Sequence, residues 1–358
     1  MSALRILVTA DAVGGVWTYA TDLAAGVAEA EVIIAVFGPA PRPVQRRQGA
    51  GLDVVETGLP LDWMARTPRE VLAAAARLQR LVAELRPDVV HLNSPALAAA
   101  GPLGAPTLGV CHSCVATWWA AVKGGPMPAD FRWRTELLRD GLARCDIVAA
   151  PSHSFAGELA ATYRVATPVV VHNGRARPAP VEVDREPIVL TVGRLWDEGK
   201  NVATLDAAAA ACAAPLYAAG PLESPDGASR ARLAHARPLG ARSADSVAAW
   251  MARASIFASA ALYEPFGLGV LEAAQAGCAL VLSDIATFRE LWDGAAIFAD
   301  PRDPGAFAAA FEALTRDPCE AARLGEAAQA RAARFSLEAM CVGARRLYRR
   351  LANERAAA

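Results

Sequence analysis

Glu264 and Glu272 stand eight residues apart in the segment Tyr263–Gly277 (YEPFGLGVLEAAQAG). Pro265 holds Glu264 extended at the end of the strand expected over Ser255–Ala260. Gly267 and Gly269 clear side chains from the start of the helix that follows, which leaves backbone N–H groups open. Two carboxylates beside a phosphate-binding edge would repel the phosphate, so they suit hydrogen bonds from sugar hydroxyls. The plain alternative is a pair of solvated glutamates. A second constellation is Thr191–Asn201 (TVGRLWDEGKN), with Arg194 at a strand end and Lys200 at or just before a helix start. A cation there opposes the helix dipole unless an anion is near. The planar fork of arginine and the point charge of lysine together suit a diphosphate, the alternative being a surface salt bridge to Asp197 or Glu198. The third is Asp11–Tyr19 (DAVGGVWTY), where Gly14 and Gly15 let backbone approach a ligand ahead of a helix beginning near Val16. It lacks the spaced glycines of a dinucleotide fingerprint.

The elements that must position these residues alternate in type. Arg5–Ala10, Glu31–Phe37, Asp88–Asn93, Thr107–Val110 and Ile147–Ala150 are short apolar runs, the pattern of buried parallel strands. Helical periods fill Val16–Glu29, Arg69–Leu85, Asp130–Arg144 and Ser154–Tyr163. The rhythm pauses over Gly174–Pro187, a proline-rich stretch with the chemistry of a linker. It then resumes with strands at Ile188–Val192, Pro215–Ala219, Ile256–Ala260, Ala279–Ser283 and Ala296–Ala299. Helices are expected at Val202–Ala213, Ser243–Ala254, Leu268–Ala276, Pro304–Thr315 and Cys319–Arg334. Such βαβ repetition predicts an α/β protein of two Rossmann-like domains, residues 1–173 and 188–335, facing each other across a ligand-binding cleft. The last stretch carries Leu337, Met340, Ala344, Leu347 and Leu351 on one face and Arg345, Arg346, Arg349 and Arg350 on another. It reads as a packed terminal helix over 336–354, with a membrane-lying helix as the alternative.

Composition narrows the classes. The 358 residues are 54% hydrophobic and 20% charged, which supports large cores and excludes general disorder. A formal net charge of −1, from 36 basic and 37 acidic side chains, argues against a nucleic-acid partner. Seven scattered cysteines, an odd number, do not make a disulfide scaffold and suit a reducing cytosol. Neither a signal peptide nor a spanning helix is expected, so the placement is cytoplasmic, with peripheral contact at the inner membrane face left open.

The ordered set of motifs resembles the retaining glycosyltransferases of the GT-B fold, especially family 4 (glycosyltransferase group 1). EPFGLGVLEAAQAG resembles their E-x7-E element. Gly14–Gly15, His112 after the fifth strand, Ser152 in the Ala-Pro-Ser turn, His172-Asn173-Gly174, Arg194 with Lys200, and Ala219-Gly220-Pro221 precede it in the family's order. The resemblance implies that a nucleoside diphosphate sugar lies mainly on the C-terminal domain, with Arg194 and Lys200 on the diphosphate and Glu272 on the ribose. Glu264 would hold donor-sugar hydroxyls beside the backbone N–H groups of Phe266, Gly267 and Leu268. Gly15 would approach the phosphate, His112 the transferred sugar, and Asn173 and Gly220 would join the binding set. Glu264, Arg194, Lys200 and His112 form the catalytic group, and the terminal helix would return to the N-terminal domain. No cofactor and no metal are implied, since the nucleotide-sugar is a co-substrate and no Asp-x-Asp pair is present.

The expected activity is transfer of a hexose-type sugar, with retention, from a UDP donor (GDP second) to a hydroxyl-bearing acceptor such as a sugar, glycan or lipid-linked glycan. A sugar-nucleotide epimerase of the same fold is the alternative enzyme. A non-catalytic nucleotide-sugar-binding scaffold is the alternative from another class, and its signature would be loss of Glu264, Glu272, Arg194 and Lys200. Asn173-Gly174-Arg175 departs from the family's usual Asn-Gly-Val with a following acidic residue. Cys111-His112-Ser113-Cys114 has CxxC spacing but no second ligand pair, so a buried thiol is favoured over zinc. His91 reads as a structural residue within a strand. Trp118, Trp119, Lys123 and Arg132–Arg134 are the suggestive residues for an acceptor.

Overall fold

The computed structural model describes residues 3–177 and 183–357. They form two compact units, one of residues up to Gly174 together with Leu337 onward, the other Arg175–Ser336. Part of the expected linker, residues 178–182, lies outside the described residues. Of the rest, Arg175 already belongs to the second unit, its N–H donating to the Phe335 carbonyl at 3.3 Å.

The first unit is built on a seven-stranded parallel sheet. Its strands are β1 (Leu4–Asp11), β2 (Ala30–Phe37), β3 (Asp53–Glu56), β4 (Val89–Leu92), β5 (Thr107–Val110), β6 (Ile147–Ala150) and β7 (Val169–Val170). Their order is β3-β2-β1-β4-β5-β6-β7. The sequence LRILVTAD of β1 is apolar on both faces because helices cover both. On one face Ile6, Val8 and Ile34 pack with Trp17 and Leu23 of helix Gly15–Gly26, and with Met340, Leu347, Tyr348 and Leu351 of helix Leu337–Ala357. On the other, Leu7, Ile33 and Phe37 pack with Leu78 and Leu81 of helix Pro68–Leu85.

The second unit repeats the plan with β8 (Glu186–Val192), β9 (Leu216–Ala219), β10 (Arg237–Gly240), β11 (Ala254–Ser259), β12 (Ala279–Ser283) and β13 (Ala296–Ala299). The order β10-β9-β8-β11-β12-β13 is again a parallel doubly wound sheet with apolar packing on both faces. In each sheet the connections leave the first strand to opposite sides, so the crevice outside its carboxyl end is a topological switch point. That is where open α/β sheets place ligands. In the first unit the point lies between β1 and β4, and in the second between β8 and β11.

The terminal helix settles one expectation physically. Its apolar stripe is buried in the core of the first unit, so that face is not available to a bilayer. Arg345 pairs with Glu29 at 3.2 Å and Arg350 with Glu354 at 2.9 Å, which neutralises much of the basic face. Among the described residues no helix is long and apolar enough to cross a membrane.

Candidate functional site

Arg194, Lys200 and Glu264 lie at the carboxyl edge of the second sheet, around the switch point. Arg194 follows β8 by two residues. The chain then makes a 3-10 turn, Glu198–Lys200, capped by Asp197, whose Oδ1 accepts the Gly199 N–H at 2.9 Å. Asp197 Oδ2 accepts from Arg194 Nη2 at 2.8 Å, so one carboxylate holds both the turn and the guanidinium. The salt-bridge alternative is therefore realised for Arg194, with the arginine still about one-third exposed. Lys200 has a partner the sequence did not suggest: its Nζ forms an ion pair with Glu264 Oε2, both side chains largely buried.

Glu264 is not at the strand end, as expected, but five residues beyond it, in the loop after β11. That loop is tied to the lysine turn by the Leu262 N–H, which donates to the Gly199 carbonyl at 2.9 Å. Asn201, in left-handed conformation at φ 51°, closes the arrangement, donating from Nδ2 to the carbonyls of Ala260 (3.0 Å) and Pro301 (2.7 Å). Asp197 was expected only as a salt-bridge partner, not as the cap of the turn, and Asn201 was not singled out. Their signal was their type, since short polar side chains cap turns and tolerate positive φ.

Gly267 begins the helix Leu268–Gln275 at φ 94°, a conformation that favours glycine. The first N–H groups of that helix have no partners within it, and Phe266, Gly267 and Leu268 surround this end. Glu272 lies one turn in, its Oε1 3.0 Å from Arg175 Nε. The departure at Arg175 thus has a local meaning: it brings a cation to the carboxylate expected to bind ribose. Gly220, after β9, has a structural reason of its own. A Cβ there would sit 1.8 Å from the Gly193 carbonyl oxygen.

In the first unit, Gly14 and Gly15 follow β1, with Gly15 exposed at the first position of its helix. Gly14 is extended (φ −135°), so the pair is not demanded by backbone conformation. The loop before them is pinned by Asp11 Oδ1, which accepts the Val13 N–H at 2.9 Å. Gln45 Nε2 also pins it, donating to the Ala12 carbonyl at 2.7 Å. Gln45 belongs to helix Pro43–Gln48, one of the elements the sequence pattern did not reveal.

His112 follows β5 and is half-buried, its Nε2 2.9 Å from Asn93 Oδ1. His91 also reaches that oxygen, at 3.1 Å. Burial draws His112 down to about 4 and His91 to about 3, so both rings are neutral near pH 7. His91 is thus within a strand, as expected; it is fully buried and hydrogen-bonded into the His112 cluster. Asn93 was missed, although His-x-Asn at the end of a strand puts both side chains on one face.

Asn173 is the remaining expected residue of the first unit. It is buried in the first unit, and its Oδ1 has no partner among the described residues. Arg134 is committed elsewhere, donating to the carbonyls of Asp62 (3.1 Å) and Ala65 (2.7 Å). The CxxC thiols are internal. Cys111 Sγ faces the Ser113 carbonyl at 3.4 Å, Cys114 Sγ meets the Thr117 hydroxyl at 3.0 Å, and burial raises both thiols above their ordinary range.

Comparison with known proteins places this architecture among relatives. The family model described as Glycosyltransferase Family 4 matches residues 13–175, and that described as Glycosyl transferases group 1 matches residues 186–317. A GDP-mannose-dependent alpha-mannosyltransferase of Mycobacterium tuberculosis (strain CDC 1551 / Oshkosh) is 34% identical over 239 residues, covering 60% of this chain and 60% of that protein. Among solved structures, sucrose-phosphate synthase from Thermosynechococcus elongatus aligns over 97% of this chain and 99% of its own, with TM-score 0.78 and 19% identity. Anabaena Alr3699/HepE in complex with UDP and glucose aligns over 97% and 100%, with TM-score 0.72 and 16% identity. At such identities the structural likeness speaks for the fold.

Proposed function

Because the chain belongs to the glycosyltransferases of family 4, group 1 type, and has their GT-B fold, we propose that it transfers a hexose from a nucleoside diphosphate sugar to a hydroxyl acceptor, with retention of anomeric configuration. The observation that carries this reading is the meeting of Arg194, Lys200, Glu264 and the open N–H end of helix Leu268–Gln275 at one switch point. Two cations and a helix N-terminus suit a diphosphate, and carboxylates beside them suit hydroxyls.

In this mechanism Lys200 and Arg194 meet charge that grows on the diphosphate as the glycosidic bond breaks, so they stabilise the transition state more than bound donor. Asp197 keeps Arg194 oriented before substrate arrives. Lys200 exchanges part of its contact with Glu264 for phosphate oxygen, and Glu264 turns to the sugar hydroxyls. Glu272 accepts from ribose hydroxyls in place of, or alongside, Arg175. The leaving group is stabilised by these side chains, and no resident metal enters the scheme. His112, neutral and held by Asn93, contacts a sugar hydroxyl.

GDP-mannose is the donor to test first. The relative that supports it by sequence is 34% identical, whereas the neighbour holding UDP is 16% identical. This reverses the order expected from motifs alone. The acceptor is a hydroxyl-bearing sugar, glycan or lipid-linked glycan. The deciding experiment is a donor panel of GDP-mannose, UDP-glucose and UDP-N-acetylglucosamine, assayed for hydrolysis and for transfer to a mixed glycan pool. Nucleotide at 100 times its dissociation constant adds about 2.7 kcal/mol of apparent stability, so thermal shift ranks the bases independently. Turnover with no donor, and no shift with either diphosphate, would remove this reading.

A further inference from the structure

Around His112 the hydrogen bonds permit one consistent set of directions. Asn93 Nδ2 lies 2.7 Å from the Thr9 carbonyl, which can only accept, so the amide is oriented with its oxygen away from β1. The Asn93 N–H donates to Thr9 Oγ1 at 3.0 Å and fixes the backbone beside it. Asn93 Oδ1 then faces Nε2 of both His91 and His112, and an amide oxygen can receive only N–H from each. With Nε2 protonated, the other nitrogen of neutral His91 must accept, and Tyr348 Oη stands 2.7 Å from it as the donor. Tyr19 lies edge-on to the His112 ring at 4.4 Å between centroids, which opposes rotation of the imidazole. What is left over is His112 Nδ1, a lone pair with no hydrogen-bond partner among the described residues.

We propose that Asn93 is a positioning residue: by taking the Nε2–H of His112 it holds that ring in a single tautomer, with Nδ1 free to accept a hydrogen bond from a hydroxyl of the substrate sugar, while Thr9, His91 and Tyr348 hold Asn93 in turn. This rests on the reading that His112 meets sugar. The physical gain is selection. A free histidine divides between two tautomers, and only one offers an acceptor at Nδ1. A ring free to flip would present carbon or N–H there for part of the time. Burial keeps both rings neutral and so supports the same arrangement. Tyr348 brings the helix Leu337–Ala357 into the site's support without contact to any ligand.

The test is nitrogen NMR of the full chain with labelled histidine rings, read beside steady-state kinetics. In the parent protein His91 and His112 should both show the Nε2–H tautomer. Asn93→Ala should convert His112 to a tautomer mixture. It should lower kcat by up to about tenfold, the scale of one well-placed hydrogen bond, with a smaller change in donor KM. Asn93→Asp should give a doubly protonated His112 and a similar loss, since a carboxylate favours the imidazolium. An Nδ1–H tautomer in the parent would overturn the lock without any variant having to fold. So would Asn93→Ala with an unaltered tautomer and parent kcat. His112→Ala with parental transfer would instead overturn the use of Nδ1, and with it the part given to His112 in the proposed reaction.

Discussion

In the proposed reaction, the ion pair of Lys200 with Glu264 gives the two residues opposite effects on one ligand. Removing Lys200 deletes the charge that the proposed reaction assigns to the departing diphosphate, so Lys200→Ala should lower turnover by about 10²–10³, and Arg194→Ala should act in the same direction. Rates equal to the parent's in both would show that the diphosphate lies elsewhere. Removing Glu264 releases the lysine from a competing carboxylate. Glu264→Ala should therefore bind free nucleoside diphosphate about two- to fivefold more tightly, the range of a partly exposed ion pair, while transferring sugar poorly. Calorimetric titration that finds weaker diphosphate binding would mean Glu264 itself helps hold the nucleotide. The histidines make a separate prediction about acid. His91 titrates near 3 in the folded chain, against 6.5 when unperturbed, because burial disfavours its charged form. Between those values the unfolded chain takes up a proton that the folded chain refuses. The stabilising effect is thus complete above about pH 6.5 and is lost as pH falls toward 3, at roughly 1.4 kcal/mol per pH unit. Urea unfolding of the parent and of His91→Leu from pH 7.5 to 4.5 should show a shallower fall in the variant. Parallel curves would clear His91 of that role.

Elements set where these residues can stand, and two glycines separate packing from ligand. At Gly220, φ is 142° and a Cβ would lie 1.8 Å from the Gly193 carbonyl, so Gly220→Ala should destabilise the second unit by roughly 2–4 kcal/mol. At Gly269, inside helix Leu268–Gln275, the nearest atoms to a Cβ are 3.6 Å and 3.8 Å away. Gly269→Ala should fold as well as the parent or slightly better. Denaturation curves in the reverse order would overturn this packing argument, and a stable Gly269→Ala that loses nucleotide affinity would show that the space serves a ligand. The central strands were legible because burial on both faces writes itself as an unbroken apolar run, as in RILVTA and ALVLS. β3 was not, because DVVE at the edge of its sheet has two apolar residues between charges. Helix Pro43–Gln48 is too short and polar to show a period, although its Gln45 pins the loop before Gly14. At the site, charge and glycine spacing marked Glu264, Glu272, Arg194 and Lys200. Their pairings were hidden, since Lys200 meets Glu264 and Glu272 meets Arg175 through folding of distant segments. Asn93 was hidden for the same reason, its partners being Thr9 on β1, His91 on β4 and His112 after β5, with the last helix reaching it only through the bond of Tyr348 to His91.

Over the whole molecule, the first unit is discontinuous in sequence and the second is not. Met340, Leu347, Tyr348 and Leu351 are each almost wholly buried in the core that the first unit builds on β1. Each is worth about 1.5–3 kcal/mol of burial, and together they approach the whole stability of an ordinary domain. Truncation after Ser336 should therefore leave the first unit unfolded or dye-binding while the second still melts cooperatively. A truncated chain with both transitions of the parent would contradict this. The same arrangement decides what happens while the chain is being made. A ribosome releases all seven strands of the first sheet before it begins the second, and the helix that seals that sheet comes last. At 5–20 residues per second, Arg175 to Ala357 takes on the order of ten to forty seconds. For that interval Ile6, Val8, Trp17 and Leu23 lack their cover, a natural target for a holding chaperone. The contiguous second unit can finish within it, so the half of the protein synthesised first is the half completed last.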